Sequence, residues 1–148
     1  MLDENGYRLG VGMIVRHHNG KILWCKRKEI NAWQFPQGGI ESDETPEVAM
    51  WRELQEETGL LTQHVRLVRT TDQWLYYEFP ERLKMNYTGQ KQIWFLLELL
   101  TDDDHINLTV ANEFDQWCWV DWWYPLQDVV AFKREIYKQV LERFAPPE

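Results

Sequence analysis

The stretch from Gly38 to Leu60, GGIESDETPEVAMWRELQEETGL, carries seven carboxylates, more than a short amphipathic helix needs. Its punctuation predicts a helix over Pro46 to Thr58. Thr45 can cap the first turn, Pro46 fits the position where no intrahelical N–H is required, and Glu47 suits the positive end of the dipole. Gly59 fits the left-handed residue that ends a helix. Val48, Met50, Trp51 and Leu54 are its expected apolar contacts. Residues three and four apart share a face, so Glu53, Glu56 and Glu57 should lie together while Trp51 and Leu54 turn away. Like charges so placed repel by about a few tenths of a kcal/mol per pair in water. Arg52 can meet Glu56 one turn on, but one guanidinium cannot neutralise three carboxylates. Two readings follow: a solvated acidic face with one ion pair, or oxygen ligands for a hard divalent cation such as magnesium, shared with substrate phosphates.

The surroundings of this helix alternate between strand and turn signals. Val11–His18 and Lys21–Lys28 are β-rich runs separated by Asn-Gly, which predicts a hairpin. Further strands are expected over Val65–Thr71, Trp74–Phe79, Gln92–Leu100 and Trp117–Val120, and a last helix over Phe132–Phe144, with Ile136, Val140, Leu141 and Phe144 as its packed face. "EINAWQFPQGG" reads as a loop, Asp102–Asp104 as a solvated turn, and Pro146-Pro147 as the stop after the last helix, leaving little room for a regulatory tail. Strands mixed with two helices point to a layered α+β sandwich, and 148 residues without repeat or linker to a single domain spanning 1–148.

Composition bears on location and on partners. No run approaches the roughly 20 apolar residues of a membrane span, and "MLDENGYRLG" is no signal peptide, so a cytoplasmic protein with no membrane association is expected. Cys25 and Cys118 are far apart and read as buried, reduced thiols. The nine tryptophans read mostly as core, with Trp33 near the acidic segment in reach of a pocket. His17, His18, His64 and His105 have no metal-ligand spacing and read as surface or hydrogen-bonded residues. A net charge of −8 is unlike that of a nonspecific nucleic-acid binder; divalent cations held by carboxylates would turn an acidic cleft into a phosphate site.

Gly38, Glu44, Arg52, Glu53, Leu54, Glu56, Glu57, Gly59 and Leu60 match the signature of the Nudix hydrolases, a set that ordinary residue frequencies would produce about once in a billion starting positions. GYRLGVGMIV, WQFPQGGI, FPERL, GQKQIWFLLEL, EFDQWCWVDWWYP and VVAFKREIYKQVL further resemble the bacterial RNA pyrophosphohydrolase branch, so the likeness spans nearly the whole chain. The resemblance implies a mixed β-sheet sandwiched between helices. It implies that Glu53, Glu56 and Glu57 bind magnesium (or manganese in its place), with the Gln37 carbonyl as a further ligand and Glu44 and Arg52 orienting the carboxylates. Gly38 and Gly59 are structural positions of the motif. It makes Glu113 a fourth acidic ligand or base, Arg8 and Arg27 contacts for phosphate and RNA, and Phe132 a stacking surface with Lys133 beside it. The implied reaction removes pyrophosphate from the 5′-triphosphate end of RNA, or phosphate from a 5′-diphosphate end, by a monomer. A dinucleoside polyphosphate hydrolase and an inactive RNA- or protein-binding module are the alternatives. On the residues alone, Arg27 also reads as an edge-strand charge, Phe132 as core or staple, and Glu113 as a surface loop residue. "GIESDET" replaces the Pro-Gly turn frequent in the family, which implies a somewhat different loop and an intact spacing to Glu44.

Overall fold

The computed structural model describes residues 1–146. The chain runs β1 (Tyr7–Arg16), β2 (Ile22–Arg27), β3 (Trp33–Gln34), β4 (Gln37–Gly39), α1 (Pro46–Thr58), β5 (Val65–Thr70), β6 (Leu75–Glu78), β7 (Gly89–Leu99), β8 (Phe114–Val120), α2 (Pro125–Asp128) and α3 (Arg134–Phe144). Single 3-10 turns lie at Glu81–Leu83, Asp103–His105 and Ala131–Lys133. The strands form one mixed sheet whose spine is the parallel pairing of β1 with β7, from Tyr7↔Gly89 to Arg16↔Glu98. β5 and β6 flank β7, and β2 carries β3 and β8 on its two edges.

The predicted hairpin exists only at its mouth. Gly20, at φ 90°, turns the chain, but Arg16↔Ile22 is the single pair that joins β1 to β2. Beyond it β2 leaves to pair with β8, and β4 takes its place against β1 through Gly10↔Gly39, Val11↔Gly38 and Gly12↔Gln37. The glycines permit this insertion: a Cβ on Gly10 would strike the Gly38 carbonyl. The segment read as a loop therefore supplies two short strands, one of them directly beneath the acidic helix.

α1 has the bounds and caps the sequence predicts. Thr45 Oγ1 accepts from Val48 N at 3.2 Å, and Gly59 adopts φ 78° with its N–H donating to Gln55 O. Its buried face is the expected one at Met50 and Leu54 and departs from expectation at Val48. Ala49, Met50 and Leu54 face the sheet, Trp51 is half-buried, and Val48 is 53% exposed. Glu53 and Glu57 are buried on the same side as Leu54, while Glu56 remains more open. The inward face thus carries two carboxyl groups beside Met50 and Leu54, which counting apolar residues does not anticipate.

Two clusters fill the layers on either side of the sheet. One joins Ala49, Met50 and Leu54 of α1 to Val11, Leu23, Phe95, Leu97 and Phe114. The other joins Ile136, Tyr137, Val140 and Leu141 of α3 to Ile14, Trp24, Phe35 and Trp94. The result is the expected α/β/α sandwich. Trp24 and Trp94 are fully buried, Trp74 and Trp123 are exposed, and Trp33 packs on the second cluster and is not among the residues lining the acidic cleft. Cys25 is buried and Cys118 half-buried, and their neighbouring register on β2 and β8 sends them to opposite faces. His64 is buried, accepts from Leu61 N and stacks on His105 at 4.1 Å. The last helix begins two residues later than predicted, after the 3-10 turn that carries Phe132 and Lys133, and Pro147 lies outside the described residues. Asp103 is no free solvated acid, since it accepts from Trp119 Nε1 at 2.9 Å. Among the described residues no helix is long and apolar enough to cross a membrane.

Candidate active site

α1 presents its carboxylates to one arginine. Arg52 grips Glu44 with two bonds, Nε to Oε2 at 2.7 Å and Nη2 to Oε1 at 2.8 Å. Nη1 donates to Glu53 at 2.8 Å and to Glu56 at 3.3 Å, and Nη2 also reaches the Gly39 carbonyl at 2.9 Å. Glu44 also receives Glu41 N, closing the acidic loop ahead of the helix. This bidentate pairing draws the Glu44 carboxyl down to about 2, with burial opposing it and the Glu41 amide assisting. Arg52 and Glu44 therefore form a strut between the loop, β4 and the helix.

Behind that strut the acids meet. Glu53 is 8% exposed and Glu57 2%, and both line a cleft of 360 Å³ with Glu113, Gly38 and Gln37. Burial raises Glu53 above its ordinary range against the pull of Arg52. Glu57 is pushed up further, first by burial, then by the adjacent Glu113 carboxyl and by the charges of Glu53 and Glu56. Its Oε2 is buried without a partner. Gly38 is indispensable to this packing, because a Cβ there would occupy the space of the Glu53 carboxylate. Among the described residues no three acidic, His or Cys side chains close on a common point as they stand, and Glu53 and Glu56 each give an oxygen to Arg52. The donor set still suits a hard divalent cation: all oxygens, largely buried, with one carboxylate oxygen unsatisfied.

Glu113 reaches the cleft from a separate element. The segment between β7 and β8 docks on the C-terminal end of α1, with Asn107 N donating to Thr58 O at 2.7 Å and Ala111 N to Glu56 O at 2.9 Å. Left-handed Asn112 (φ 59°) then turns the chain into Glu113. Gln37, in β4, has its side-chain oxygen held by buried Gln92, whose amide also donates to Gln90.

The rest of the cleft lining is cationic and aromatic. Arg8, Arg27, Lys133, Tyr77, Phe79 and Phe132 all line the same cleft. Among the described residues, no ion pair uses Arg8, Arg27 or Lys133. Arg8 lies against Gly39, with its guanidinium carbon 5.9 Å from the Tyr87 ring centre. Lys133 is only 8% exposed, donates to Gln34 at 3.3 Å and is lowered to about 8, first by burial and then by Arg27. Phe132 is half-buried between Tyr77 and Phe79, with one side open to the cleft. The sequence does not single out Tyr77, Phe79, Gln34 and Gln90 as site residues, although all four line the cleft. The alternation of β6 could have placed Tyr77 inward beside Leu75, but nothing local placed it opposite Glu57.

The arrangement joins a capped acidic helix, a glycine strand beneath it and a facing set of cations on a mixed sheet. The NUDIX domain matches residues 6–144 of the chain, which belongs to the Nudix family. Enzymes of this family generally use divalent metal cations. The chain is 51% identical to the RNA pyrophosphohydrolase of Hamiltonella defensa subsp. Acyrthosiphon pisum, over 97% of its own length and 93% of the relative's. It is 50% identical to the RNA pyrophosphohydrolase of Methylococcus capsulatus, over 95% and 78% of the two chains. Among solved structures it shares the fold of the E. coli dihydroneopterin triphosphate pyrophosphohydrolase, with a TM-score of 0.74 at 20% identity over 93% and 99% of the chains. It shares it also with a C. elegans Ap4A hydrolase binary complex, with a TM-score of 0.71 at 16% identity over 93% and 98%.

Proposed function

We propose that this protein is an RNA pyrophosphohydrolase, acting as one monomeric cytoplasmic domain on the 5′ end of triphosphorylated or diphosphorylated RNA. The observation that carries this reading is the meeting, in one cleft, of buried acids on α1 with unpaired cations and a base-sized aromatic surface. Glu53, Glu56, Glu57, Glu113 and the Gln37 carbonyl would hold magnesium or manganese, which supplies neutralisation of phosphate charge and activation of water at neutral pH. Arg8, Arg27 and Lys133 face them and bind the polyphosphate oxygens, Arg in the bidentate manner that suits phosphate. Phe132 stacks a base of the first nucleotides, worth about 1 to 3 kcal/mol. Water adds to phosphorus, one anhydride P–O bond breaks, and pyrophosphate leaves a 5′-monophosphate RNA. A carboxylate of the acidic set accepts the proton of that water.

The test is to incubate the protein with 5′-triphosphorylated RNA or with diadenosine tetraphosphate, with magnesium or with chelator. Release of pyrophosphate from RNA, dependent on magnesium and faster than cleavage of the dinucleotide, is the expected result. Preference for diadenosine tetraphosphate would move the assignment to the dinucleotide hydrolases, and RNA binding without turnover would make it an inactive module.

Two substitutions probe the cationic wall. At pH 7 Lys133 is charged although buried, and its pKa near 8 in place of 10.5 corresponds to about 3 kcal/mol of lost stability. In the window from about 8 to 10.5 the unfolded chain holds the extra proton, so stability should rise with pH there. Lys133→Met is therefore expected to raise the melting temperature at pH 7, remove that pH-dependent rise and increase KM for RNA. Thermal melts from pH 7 to 10.5 and steady-state kinetics check it. Tyr77 is 6% exposed with a hydroxyl that has no partner, and burial lifts that hydroxyl to about 12. An unsatisfied buried donor costs about 1 to 3 kcal/mol. Tyr77→Phe should leave the free protein as stable or more stable while raising KM, because a bound phosphate oxygen would accept from the hydroxyl. A loss of stability in calorimetry, with KM unchanged, would contradict this.

A further inference from the structure

The ladder between β2 and β8 is regular from Ile22↔Val120 to Lys26↔Gln116 and then jumps to Arg27↔Phe114, so Asp115 is the extra residue of a β-bulge. The bulge changes which side chains face where. Trp119 and Trp117 pack on the cluster beneath α1, and unbroken alternation would put Asp115 there next. Phe114 fills that place instead, buried in the same cluster, and Asp115 is turned outward.

Outward does not mean idle. The Asp115 carboxylate accepts from Lys26 Nζ at 3.0 and 3.3 Å and from Glu29 N at 3.0 Å. Glu29 holds a left-handed φ of 64°, unusual without glycine, so this amide bond secures a turn that is otherwise disfavoured. Lys28 N donates to Glu113 O at 2.8 Å, and Arg27 N to Ala32 O at 2.8 Å. One exposed carboxylate therefore ties the strand just after Glu113 to the turn just after Arg27. Those two residues line the main cleft and also a neighbouring cavity of 380 Å³ shared with Lys28 and Asn112.

We propose that Asp115 is a positioning residue, which by pinning the bulge to the β2–β3 turn sets Arg27 and Glu113 at their working separation across the cleft. It touches neither substrate nor metal. The inference rests on the proposed function, in which Arg27 binds phosphate and Glu113 belongs to the acidic set. An Asn side chain at 115 can still accept from Glu29 N, whereas Ala cannot, and Lys26→Met removes the ion pair together with the 3.3 Å bond from Lys26 Nζ to Arg27 O while leaving the Glu29 N bond in place.

The test compares full-length Asp115→Ala, Asp115→Asn and Lys26→Met with the wild type by thermal melting, by manganese affinity from the EPR signal of free Mn2+, and by kcat and KM on a triphosphorylated RNA. For Asp115→Ala we expect kcat/KM to fall by about 10- to 100-fold and manganese affinity by about 10-fold, as when a supporting contact of a metal site is lost. Its melting temperature should move by only a few degrees, since the contacts are at the surface. Asp115→Asn should recover most of both losses, and Lys26→Met should show little of either. Wild-type kinetics and manganese affinity in Asp115→Ala would overturn the proposal, as would equal damage from Asn and Ala, or losses that simply track a collapse in melting temperature. If the wild-type protein fails to cleave RNA, the proposed function falls, and the ordering of manganese affinities still decides the role of Asp115.

Discussion

Replacing Glu57 by Gln is expected to cut turnover by orders of magnitude and, in the presence of chelator, to make the protein more stable. The two effects have one cause. Glu57 is almost wholly buried, leaves one oxygen unpartnered and sits among Glu53, Glu56 and Glu113, so its charged form is disfavoured in the free protein. Its folded pKa lies above its unfolded value of about 4.5. The stability it contributes is present below that value and is lost as pH rises. Gln keeps the shape without the titrating group, so its advantage over Glu57 should be small near pH 4.5 and grow with pH. Divalent cations reverse the order: they should stabilise the wild type and leave Glu57→Gln unmoved, while turnover falls by roughly a thousandfold, about 4 kcal/mol in the transition state. Melts with chelator and with magnesium, alongside single-turnover kinetics, separate these outcomes. Near-normal turnover in Glu57→Gln would remove the acidic cluster from the chemistry.

Gly38→Ala has the second largest expected effect, and it acts by space alone. The backbone of Gly38 is not left-handed, so alanine is allowed there conformationally. Its methyl, however, would fall on the Glu53 carboxylate. β4 cannot retreat, because Val11↔Gly38 pairing and the Arg52 bond to Gly39 O hold it against β1 and α1. Glu53 must leave its place and its bond to Arg52. Overpacking of this kind costs about 1 to 3 kcal/mol, and an ångström of misplacement in a reacting set costs about 100-fold in rate. Gly20→Ala is the control. Gly20 has φ 90° and nothing within 4 Å of a Cβ, so the substitution should cost about 1 kcal/mol of backbone strain and no activity. Comparable activity in the two variants would show that Glu53 is not confined by Gly38.

The contrast between α1 and the strand beneath it shows where sequence reading stops. The helix was legible to the residue because its signals are local: a Thr-Pro start, a glycine end, and a spacing that one turn of backbone imposes. β3 and β4 were illegible because they contain two and three residues and owe their existence to pairing partners elsewhere in the chain. Phe132 and Lys133, which family likeness alone marks as substrate contacts, line the cleft. Locally they read as the start of a helix, and they prove to form a turn before it. Asp115 gave no signal, since a bulge is a property of two strands.

By itself, then, the order of amino acids determined the acidic helix, its caps, the number of layers and the family. What tertiary structure alone decided is which carboxylates are buried, that Glu57 lacks a partner, and that Glu113, Arg27 and Lys133 face them. The reason is physical. Helix and turn signals act over a few residues, whereas the cleft is assembled by the parallel pairing of β1 with β7 and by a docking segment that reaches the end of α1, contacts between residues distant in the chain whose geometry no local pattern encodes.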